Sequence, residues 1–464
     1  MKNFEIWLAA HRDEIIAQWF ELLRFPSIGA ESARLADCRA CAAWLERWLA
    51  PLGFANSRHG ADSAPPVVFA ARPADPARAG DPAIFIYGHY DVQPVDPTTD
   101  WTTPPFEPAI RGSRVYARGA QDNKGQLWWT LQAVRAAIET GAPLPEIKIV
   151  LDGQEESGSA ELSKLLRTPS LPLAAGALLV ADTSAAGDGR PALTAGLRGV
   201  TMISFRVRGA NRDLHSGVHG GVAPNPAAAL ARIIALMHNP DGSIAVEGFM
   251  DAAAAPPPAE LGIARAIPFD PARYEAETGV APVGGQRGVA PEIRAAFQPT
   301  IEINGLHSGY AGEGSKTIIP ATAEVKLSMR TVPGQTPAKI LDTLRAHFRK
   351  HLPAGLRLEE IFAEKGARAL RIGVDSRAAK TAVAILGALD ERGCAVVYEG
   401  ASIHIIEALA AASGAEPILA GFGLEDDRIH AVDESYSFEQ AADNFRFAAR
   451  FLAEFKHELK SRAP

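Results

Sequence analysis

The chain has 464 residues, a formal net charge of -7 at pH 7 and three cysteines. Its length exceeds the size at which a single hydrophobic core usually stops growing, which predicts two domains. The acidic balance excludes the extended basic surface that a nucleic acid requires, and no stretch is apolar enough for a signal peptide or a membrane span. We therefore expect a soluble, cytoplasmic protein that binds neither nucleic acid nor a membrane, and three cysteines are too few for a disulfide framework.

The first pattern along the chain is a helix that contains two of the cysteines, Cys38 and Cys41. Their CxxC spacing is compatible with a metal site, but there is no second pair to complete one. One helical face of the segment carries the apolar or small side chains Leu35, Cys38, Ala42, Leu45 and Leu49. The pattern favours two cysteines in a helix core.

Three short apolar runs follow, and they are typical of buried parallel strands. The predicted strands are Ala83–Tyr87, Ile147–Leu151 and Ala177–Ala181, and Gln126–Glu139 has the pattern of an amphipathic helix between the first two. This alternation of strands and helices predicts an α/β domain with a mainly parallel sheet in a two-layer arrangement.

From Val200 the pattern changes to the alternation of half-exposed antiparallel strands, seen in Ile203, Phe205 and Val207. Two helices are predicted in this region, Pro226–Met237 with Asn225 as its cap and Pro337–Leu352 with Thr336 as its cap. The region is therefore predicted to be a small α+β domain.

After about residue 372 the α/β pattern resumes, with a helix at 378–390, a strand at 417–420 and a final helix from Ser437. The small domain is therefore inserted into the larger one. We predict a first part of the catalytic domain at 1–198, an insertion at 199–372 and a second part of the catalytic domain at 373–464.

Polar side chains follow each predicted parallel strand. His89 and Asp91 follow the first strand, Glu155 and Glu156 the second, and Asp182 the third. Any one of them also suits a turn or a helix cap. Open parallel sheets bind ligands at the carboxyl ends of their strands, and clustered carboxylates repel one another unless cations lie between their oxygens. The set predicts a metal site, and Asp122, in a glycine-flanked polar turn before a helix, is assigned to it.

At this point the sequence resembles the co-catalytic zinc peptidase family that includes cytosolic dipeptidase, carnosinase, glutamate carboxypeptidase, aminoacylase and succinyl-diaminopimelate desuccinylase. The resemblance rests on five segments in order: Gly88-His89-Tyr90-Asp91-Val92-Gln93-Pro94, Arg118–Gly125, Glu155–Ser159, Asp213–Gly217 and Gly309–Thr317. It implies a catalytic domain with an inserted lid and dimerisation domain, and the last segment favours the dipeptidase branch.

The resemblance also implies two zinc ions per chain, with manganese or cobalt as possible substitutes. His89 and Asp182 would hold one ion and Glu156 and His430 the other, with Asp122 bridging them. Asp122-Asn123 resembles the family position with a cis peptide bond. By itself, His430 is equally compatible with a surface loop.

Three further residues would take part in catalysis by the same resemblance. Glu155 would be the general base, and Asp91 would orient the ring of His89. His215 would reach the active site of a partner chain in a homodimer formed through the inserted domain, although Ser216 and Gly217 after it also suit a plain turn.

For the substrate, Arg330 resembles the family arginine that binds a free carboxylate, and Glu399 and Ser402 lie in a segment that resembles the substrate loop of the dipeptidase branch. Three residues depart from the family pattern: Gln121, Ala401 and His404. The prediction is hydrolysis of the amide bond of a dipeptide or small peptide. Two alternatives are an aminoacylase acting on N-acyl amino acids or a modified amide and, more remotely, a non-catalytic binding protein.

Overall fold

The computed structural model describes residues 2–167, 171–267 and 269–456. The chain forms two compact units. The first unit contains Met1–Ala195, Ile372–Val397 and Ile405–Pro464, and the second contains Gly196–Arg371 and Tyr398–His404. The short return of the chain to the second unit at Tyr398–His404 falls in a segment that the predicted boundaries give to the catalytic domain.

The helices of the described residues are numbered in chain order. They are α1 (Lys2–Leu23), α2 (Leu35–Leu49), α3 (Lys124–Glu139), α4 (Ala160–Leu166), α5 (Ser216–His219), α6 (Pro226–Ala235), α7 (Pro258–Arg265), α8 (Pro271–Thr278), α9 (Pro291–Phe297), α10 (Pro337–His351), α11 (Arg377–Gly387), α12 (Ile406–Ser413) and α13 (Phe438–Glu454). In this part of the chain no helix is both long and apolar enough to cross a bilayer.

The strands are numbered in the same way. They are β1 (Ala55–His59), β2 (Val67–Arg72), β3 (Ile84–His89), β4 (Ala109–Arg111), β5 (Arg114–Tyr116), β6 (Ile147–Asp152), β7 (Ala177–Ser184), β8 (Ala192–Leu197), β9 (Gly199–Arg208), β10 (Leu214–His215), β11 (Thr300–Ser308), β12 (Ile318–Ile319), β13 (Thr322–Thr331), β14 (Arg357–Ala367), β15 (Leu370–Arg371), β16 (Ala395–Glu399), β17 (Glu416–Gly423) and β18 (Ser435–Ser437).

The main sheet of the first unit has the strand order β1-β2-β6-β3-β7-β17-β8. Its central pairs, β6 with β3, β3 with β7 and β7 with β17, are parallel, while β1 with β2, β2 with β6 and β17 with β8 are antiparallel. The sheet is therefore mixed, with its parallel part in the centre. The predicted α/β class is confirmed, and the three predicted strands lie side by side.

Helix α3 occupies the core of the first unit and leads directly out of the Asp122 turn. It is buried along most of its length and packs against α1 and α13. Because burial of apolar area is the main stabilising contribution to folding, this packing fixes the position of the turn before the helix. Cys38 and Cys41 are free and buried in α2, as the helix-core interpretation predicts.

The second unit contains a four-stranded antiparallel sheet of order β11-β13-β9-β14 and a two-stranded sheet of β10 and β12. The inward side chains of β9 and β13 pack against α6 and α10, and the rings of Phe205 and Phe348 stack with centroids 4.2 Å apart. Asn225 caps α6 by accepting a hydrogen bond from Ala227 N at 2.9 Å. Thr336 is the N-cap residue of α10 and Pro337 opens the helix, as predicted, although among the described residues the Thr336 side chain accepts no capping hydrogen bond.

Candidate metal centre

The first group of potential metal ligands lies at the carboxyl end of the central parallel strands. His89 ends β3 and pairs in register with Asp152, the last residue of β6, so the segments after these strands leave the sheet together. His89 Nε2 is 3.2 Å from Asp122 Oδ1 and 3.8 Å from Asp182 Oδ2. These three side chains can direct one atom each toward a single ion.

The second group consists of Asp122, Glu156 and His430. His430 Nε2 is 2.9 Å from Asp122 Oδ2 and 3.4 Å from Glu156 Oε2. Asp122 therefore belongs to both groups, with Oδ1 toward His89 and Oδ2 toward His430. A carboxylate shared in this way is the arrangement that a bridging ligand requires.

The turn that carries Asp122 has a cis peptide bond between Asp122 and Asn123, as the resemblance implies. The Asn123 side chain links this turn to both neighbouring strands. Its Nδ2 donates to Ala181 O and to Asp182 Oδ1, each at 2.7 Å, and its Oδ1 accepts from His89 N at 3.3 Å. Asn123 therefore orients Asp182, one of the potential ligands.

Asp91 is fully buried and contacts a residue of each group, His89 in the first and Glu156 in the second. Its Oδ1 is 3.3 Å from Nδ1 of His89, the ring nitrogen that faces away from Asp122. Its two oxygens also accept the backbone N–H groups of Glu155 and Glu156, at 3.1 and 3.2 Å. One carboxylate thus orients an imidazole and fixes the backbone that carries Glu155 and Glu156.

The carboxylates of the cluster disfavour one another's charged forms. Burial raises the pKa of Glu155 well above its usual range, and the charges of Asp182, Glu156 and Asp122 add to the shift against the opposing charge of His89. Burial and then the charge of Asp122 raise the pKa of Glu156. Burial also raises the pKa of Asp182 to about 6, against the attraction of His89.

For Asp122 and His430, the shifts in pKa instead favour the charged forms. Burial acts to raise the pKa of Asp122, but hydrogen bonds with His430 and His89 outweigh it and lower the net pKa. Hydrogen bonds to Asp122 and Glu156 raise the pKa of His430 to about 10. In the absence of a cation, the histidines supply the positive charge that the carboxylates require.

The side chains fit the divalent cations that the resemblance implies. Two imidazoles and three carboxylates form a mixed nitrogen and oxygen donor set, which suits zinc and also manganese or cobalt. Glu156 Oε1 is buried and, among the described residues, has no hydrogen-bond partner, although its Oε2 accepts from Gln93 Nε2 at 2.7 Å. An orphaned buried carboxylate oxygen is costly unless a cation satisfies it.

Glu155 lies beside the two groups but, among the described residues, is a member of neither. It is half-buried, and its backbone is fixed by Asp91. Its carboxylate is close enough to His89, Asp122 and Asp182 for their charges to alter its pKa. This position leaves Glu155 available for proton transfer.

His430 lies in a loop whose backbone conformation is unusual. Arg428, His430 and Asp433 have φ values of 58, 61 and 60°, in the left-handed region that non-glycine residues rarely adopt. Asp433 anchors the loop by accepting the backbone N–H of Thr102 at 3.0 Å. Unusual backbone conformations of this kind persist where surrounding contacts enforce them and are concentrated at functional sites.

Two charged residues that the sequence interpretation did not assign stabilise the Asp122 turn. Arg118 Nη1 donates to Glu434 Oε2 at 2.9 Å, and the side chains of both residues are almost fully buried. Burial raises the pKa of Glu434, against the attraction of Arg118. The acid lies only four residues after His430, but its sequence context, Asp433-Glu434-Ser435, is equally typical of an exposed loop.

In the second unit, Arg330 and Ser402 are brought together. Arg330 is next to last in β13, and its Nη1 donates to Ser402 Oγ at 2.8 Å. Ser402 Oγ in turn donates to the carbonyl oxygen of Arg198, whose Nε donates to Gly400 O at 3.1 Å. Arg198 thus holds the segment that contains Ser402, a role that the sequence interpretation missed. Glu399 ends β16, three residues before Ser402.

His215 is exposed at the end of β10 in the second unit, where β10 pairs with β12. Its Nδ1 accepts the backbone N–H of Gly217 at 3.0 Å. Because one ring nitrogen accepts, the neutral imidazole carries its proton on Nε2. His215 therefore presents a hydrogen-bond donor at Nε2 while its other nitrogen completes a local turn.

Residues 197–356 match a family model described as a peptidase dimerisation domain. Cys-Gly metallodipeptidase dug1 of Schizosaccharomyces pombe is 29% identical over 416 residues, which cover 86% of this chain and 84% of the relative. Beta-Ala-His dipeptidase of Rattus norvegicus is 28% identical over 307 residues, covering 65% of this chain and 60% of the relative. The solved structure of an M20 family metallo-carboxypeptidase from Sulfolobus solfataricus is 25% identical, with a TM-score of 0.83 and coverage of 95% of this chain and 98% of that one. The proteins that this chain resembles along most of its length are therefore M20 metallopeptidases, with dipeptidases among them.

Proposed function

We propose that this metallopeptidase uses two zinc ions to hydrolyse the amide bond of a dipeptide or another small peptide. The observation that carries the proposal is the pair of ligand groups that share Asp122, because a single carboxylate common to both groups suits a two-metal centre. His89 and Asp182 would hold one ion, and Glu156 and His430 the other. When bound, two such cations lower the pKa of a water molecule toward neutrality and polarise the scissile carbonyl.

In this proposal Glu155 is the general base. It lies beside the ligands without belonging to either group, and Asp91 fixes its backbone. Glu155 takes the proton of the attacking water and passes it to the nitrogen of the leaving amine. Asp91 keeps the ring of His89 in one orientation, so that Nε2 faces Asp122 throughout the reaction.

Arg330 is proposed to bind the free carboxylate of the peptide. Its guanidinium is half-buried, and its Nη1 donates to a neutral hydroxyl, that of Ser402. Burial lowers the pKa of Arg330, which is the effect expected of a cation that is not fully compensated by an acid. A planar guanidinium held in this way can form two parallel bonds with a carboxylate. Glu399 and Ser402 would complete the substrate contacts.

We further propose that His215 acts across a homodimer formed through the second unit. The match of residues 197–356 to a peptidase dimerisation domain supports the dimer. The Nε2 proton of His215 is free to bond the oxygen of the scissile carbonyl as negative charge develops on it.

Three free cysteines, two of them buried, support a reducing compartment such as the cytoplasm.

A substrate panel tests the proposed reaction. Metal-free protein is supplied with zinc, manganese or cobalt and given Cys-Gly, β-Ala-His, other dipeptides, N-acyl amino acids and longer peptides. Metal-dependent cleavage of dipeptides is the expected result. Cleavage of N-acyl amino acids alone would replace the proposal with an aminoacylase, and cleavage of none of the compounds with any metal would refute the hydrolase.

A mixed dimer tests the role of His215. Chains with His215→Ala are combined with chains with Glu155→Gln, so that one active site of the mixed dimer receives both defects and the other receives neither. Recovery of about half the parent activity per mixed dimer is expected if the histidine acts in the partner's site. If mixing is verified and no activity returns, the trans role is wrong.

A further inference from the structure

Glu434 is a fully buried carboxylate whose hydrogen bonds all go to the turn before α3. Its Oε1 accepts the backbone N–H groups of Gln121 and Asp122, at 2.9 and 3.0 Å. Its Oε2 accepts Gly119 N and Arg118 Nη1, each at 2.9 Å. Both oxygens are therefore saturated by donors from a single turn of the chain.

The partner of Glu434 extends these contacts to another loop. Arg118 Nη2 donates to the carbonyl oxygen of Pro94 at 3.1 Å, in the segment that follows His89 and Asp91. Glu434 is itself four residues from His430, and its carbonyl oxygen accepts Ala117 N at 3.1 Å. The buried pair thus connects the three segments that contain His89, Asp122 and His430.

The contact with Glu434 holds the main chain of Asp122, the residue that the two ligand groups share. The main chain of Asp122 is held by Glu434 through its own N–H, while its two side-chain oxygens face His89 and His430. A shift of the turn would move both oxygens at once, and with them both ligand groups. Charge-assisted hydrogen bonds to a buried carboxylate are strong and directional, so they limit such a shift.

We propose that Glu434, acting with Arg118, is a positioning residue of the metal centre that sets the place of Asp122 between the two ligand groups. Glu434 touches neither substrate nor metal in this role. The inference rests on the proposed two-metal function, since it assigns the residue an effect on the affinity of that site for metal.

The test is a comparison of zinc affinity between the parent chain and Glu434→Gln. The substitution keeps the shape of the side chain, but its amide N–H2 would face two N–H donors of the turn and leave Arg118 without a counter-charge. Zinc is titrated into metal-free, full-length protein in competition with a chelating dye. A loss of about 10- to 100-fold in affinity is expected, the range typical of residues that orient metal ligands.

A matched control separates positioning from general stability. Asp75 also accepts a backbone N–H and an arginine, from Leu144 at 2.8 Å and Arg72 at 2.7 Å, but Leu144 precedes β6 at the end of that strand away from Asp152. Asp75→Asn is expected to lower the unfolding temperature of the metal-free protein without changing zinc affinity. A Glu434→Gln variant that behaves like this control, with parent affinity and a lower unfolding temperature, would overturn the inference.

A second variant covers the case in which Glu434→Gln does not fold. Arg118→Lys keeps a positive charge beside Glu434 and leaves the three backbone N–H groups in place. A lysine has a single amine, however, and lacks the two separate guanidinium nitrogens that donate to Glu434 and to Pro94 O. A smaller loss of zinc affinity supports the inference, and unchanged affinity overturns it. A parent chain that binds no divalent metal would refute the proposed function together with the inference, whereas equal affinities in parent and variants would refute the inference alone.

Discussion

Replacement of Asp182 by asparagine should change stability in opposite directions with and without metal. In the metal-free protein, burial raises the pKa of Asp182 from 3.8 to about 6. An acid whose pKa is raised in the folded chain lowers the free energy of unfolding at any pH where the unfolded chain has lost the proton. For Asp182 this destabilisation is absent below about pH 4, grows between about pH 4 and pH 6, and is complete above about pH 6. A shift of about 2 pKa units corresponds to about 3 kcal/mol. Asp182→Asn should therefore stabilise the metal-free protein by about 3 kcal/mol at pH 8.

With zinc present the sign should reverse, because the variant lacks one ligand. A ligand at 1,000 times its dissociation constant stabilises a folded protein by about 4.1 kcal/mol, which exceeds the gain of about 3 kcal/mol in the metal-free variant. Zinc at about 1,000 times the dissociation constant of the parent should therefore reverse the sign, because a variant that lacks a ligand obtains little of this stabilisation. The assay is urea unfolding at pH 5 and pH 8, with a chelator and with zinc. Asp62→Asn, at a fully exposed position, is the control. Destabilisation of the chelator-treated variant at pH 8 would refute the reasoning, since the carboxylate would then be stabilised by its neighbours without a cation.

Three further substitutions test the proposed roles. Glu155→Gln should lower turnover by about 10²- to 10⁴-fold while two metals per chain remain by elemental analysis, and loss of metal would make Glu155 a ligand. Asp122→Ala should lower both metal content and activity, because one carboxylate serves both groups, and retention of two tightly held metals would remove it from the centre. Arg330→Lys keeps the charge but not the planar fork, so kcat/KM should fall far more for free dipeptides than for their C-terminal amides. Equal losses on both would contradict the carboxylate role.

The elements of the fold were predictable where the sequence period was strong. The buried runs that become β3, β6 and β7 are continuous and apolar, and the alternation in β9 matches its buried and exposed faces. The antiparallel strands on either side of the parallel centre were not predicted, because strand pairing depends on contacts between distant residues. The assignment of 199–372 as a lid that forms the dimer stays a prediction.

The return of Tyr398–His404 to the second unit was also beyond the sequence interpretation. A short segment of this kind has no period of its own, and its place is set by tertiary contacts such as the bond from Arg198 Nε to Gly400 O. For the same reason the buried Glu434 could not be distinguished from an exposed loop acid. The chemical type of the potential ligands was visible in the sequence, but the residues that hold them in place were not.

The three departures from the family pattern have different surroundings in the structure. Gln121 is buried, and its amide lies where a side chain on Gly423 would be, since a Cβ there would come within 2.3 Å of Gln121 Nε2. The absence of a side chain at Gly423 therefore makes room for the larger residue beside Asp122.

Ala401 and His404 instead flank Ser402, the residue bonded to Arg330. Burial lowers the pKa of His404, and the charge of Arg330 adds to this shift against the opposing charge of Glu364, so the imidazole is kept neutral near a cation. A neutral ring and an added methyl group change the shape and hydrogen bonding of this segment without changing the ligand set of the metal centre. We therefore expect differences in substrate choice from the related dipeptidases to arise at Ala401 and His404. The pair Ala401→Gly and His404→Pro should shift the relative kcat/KM among dipeptides while zinc affinity stays at the parent value, and an unchanged substrate profile would contradict this expectation.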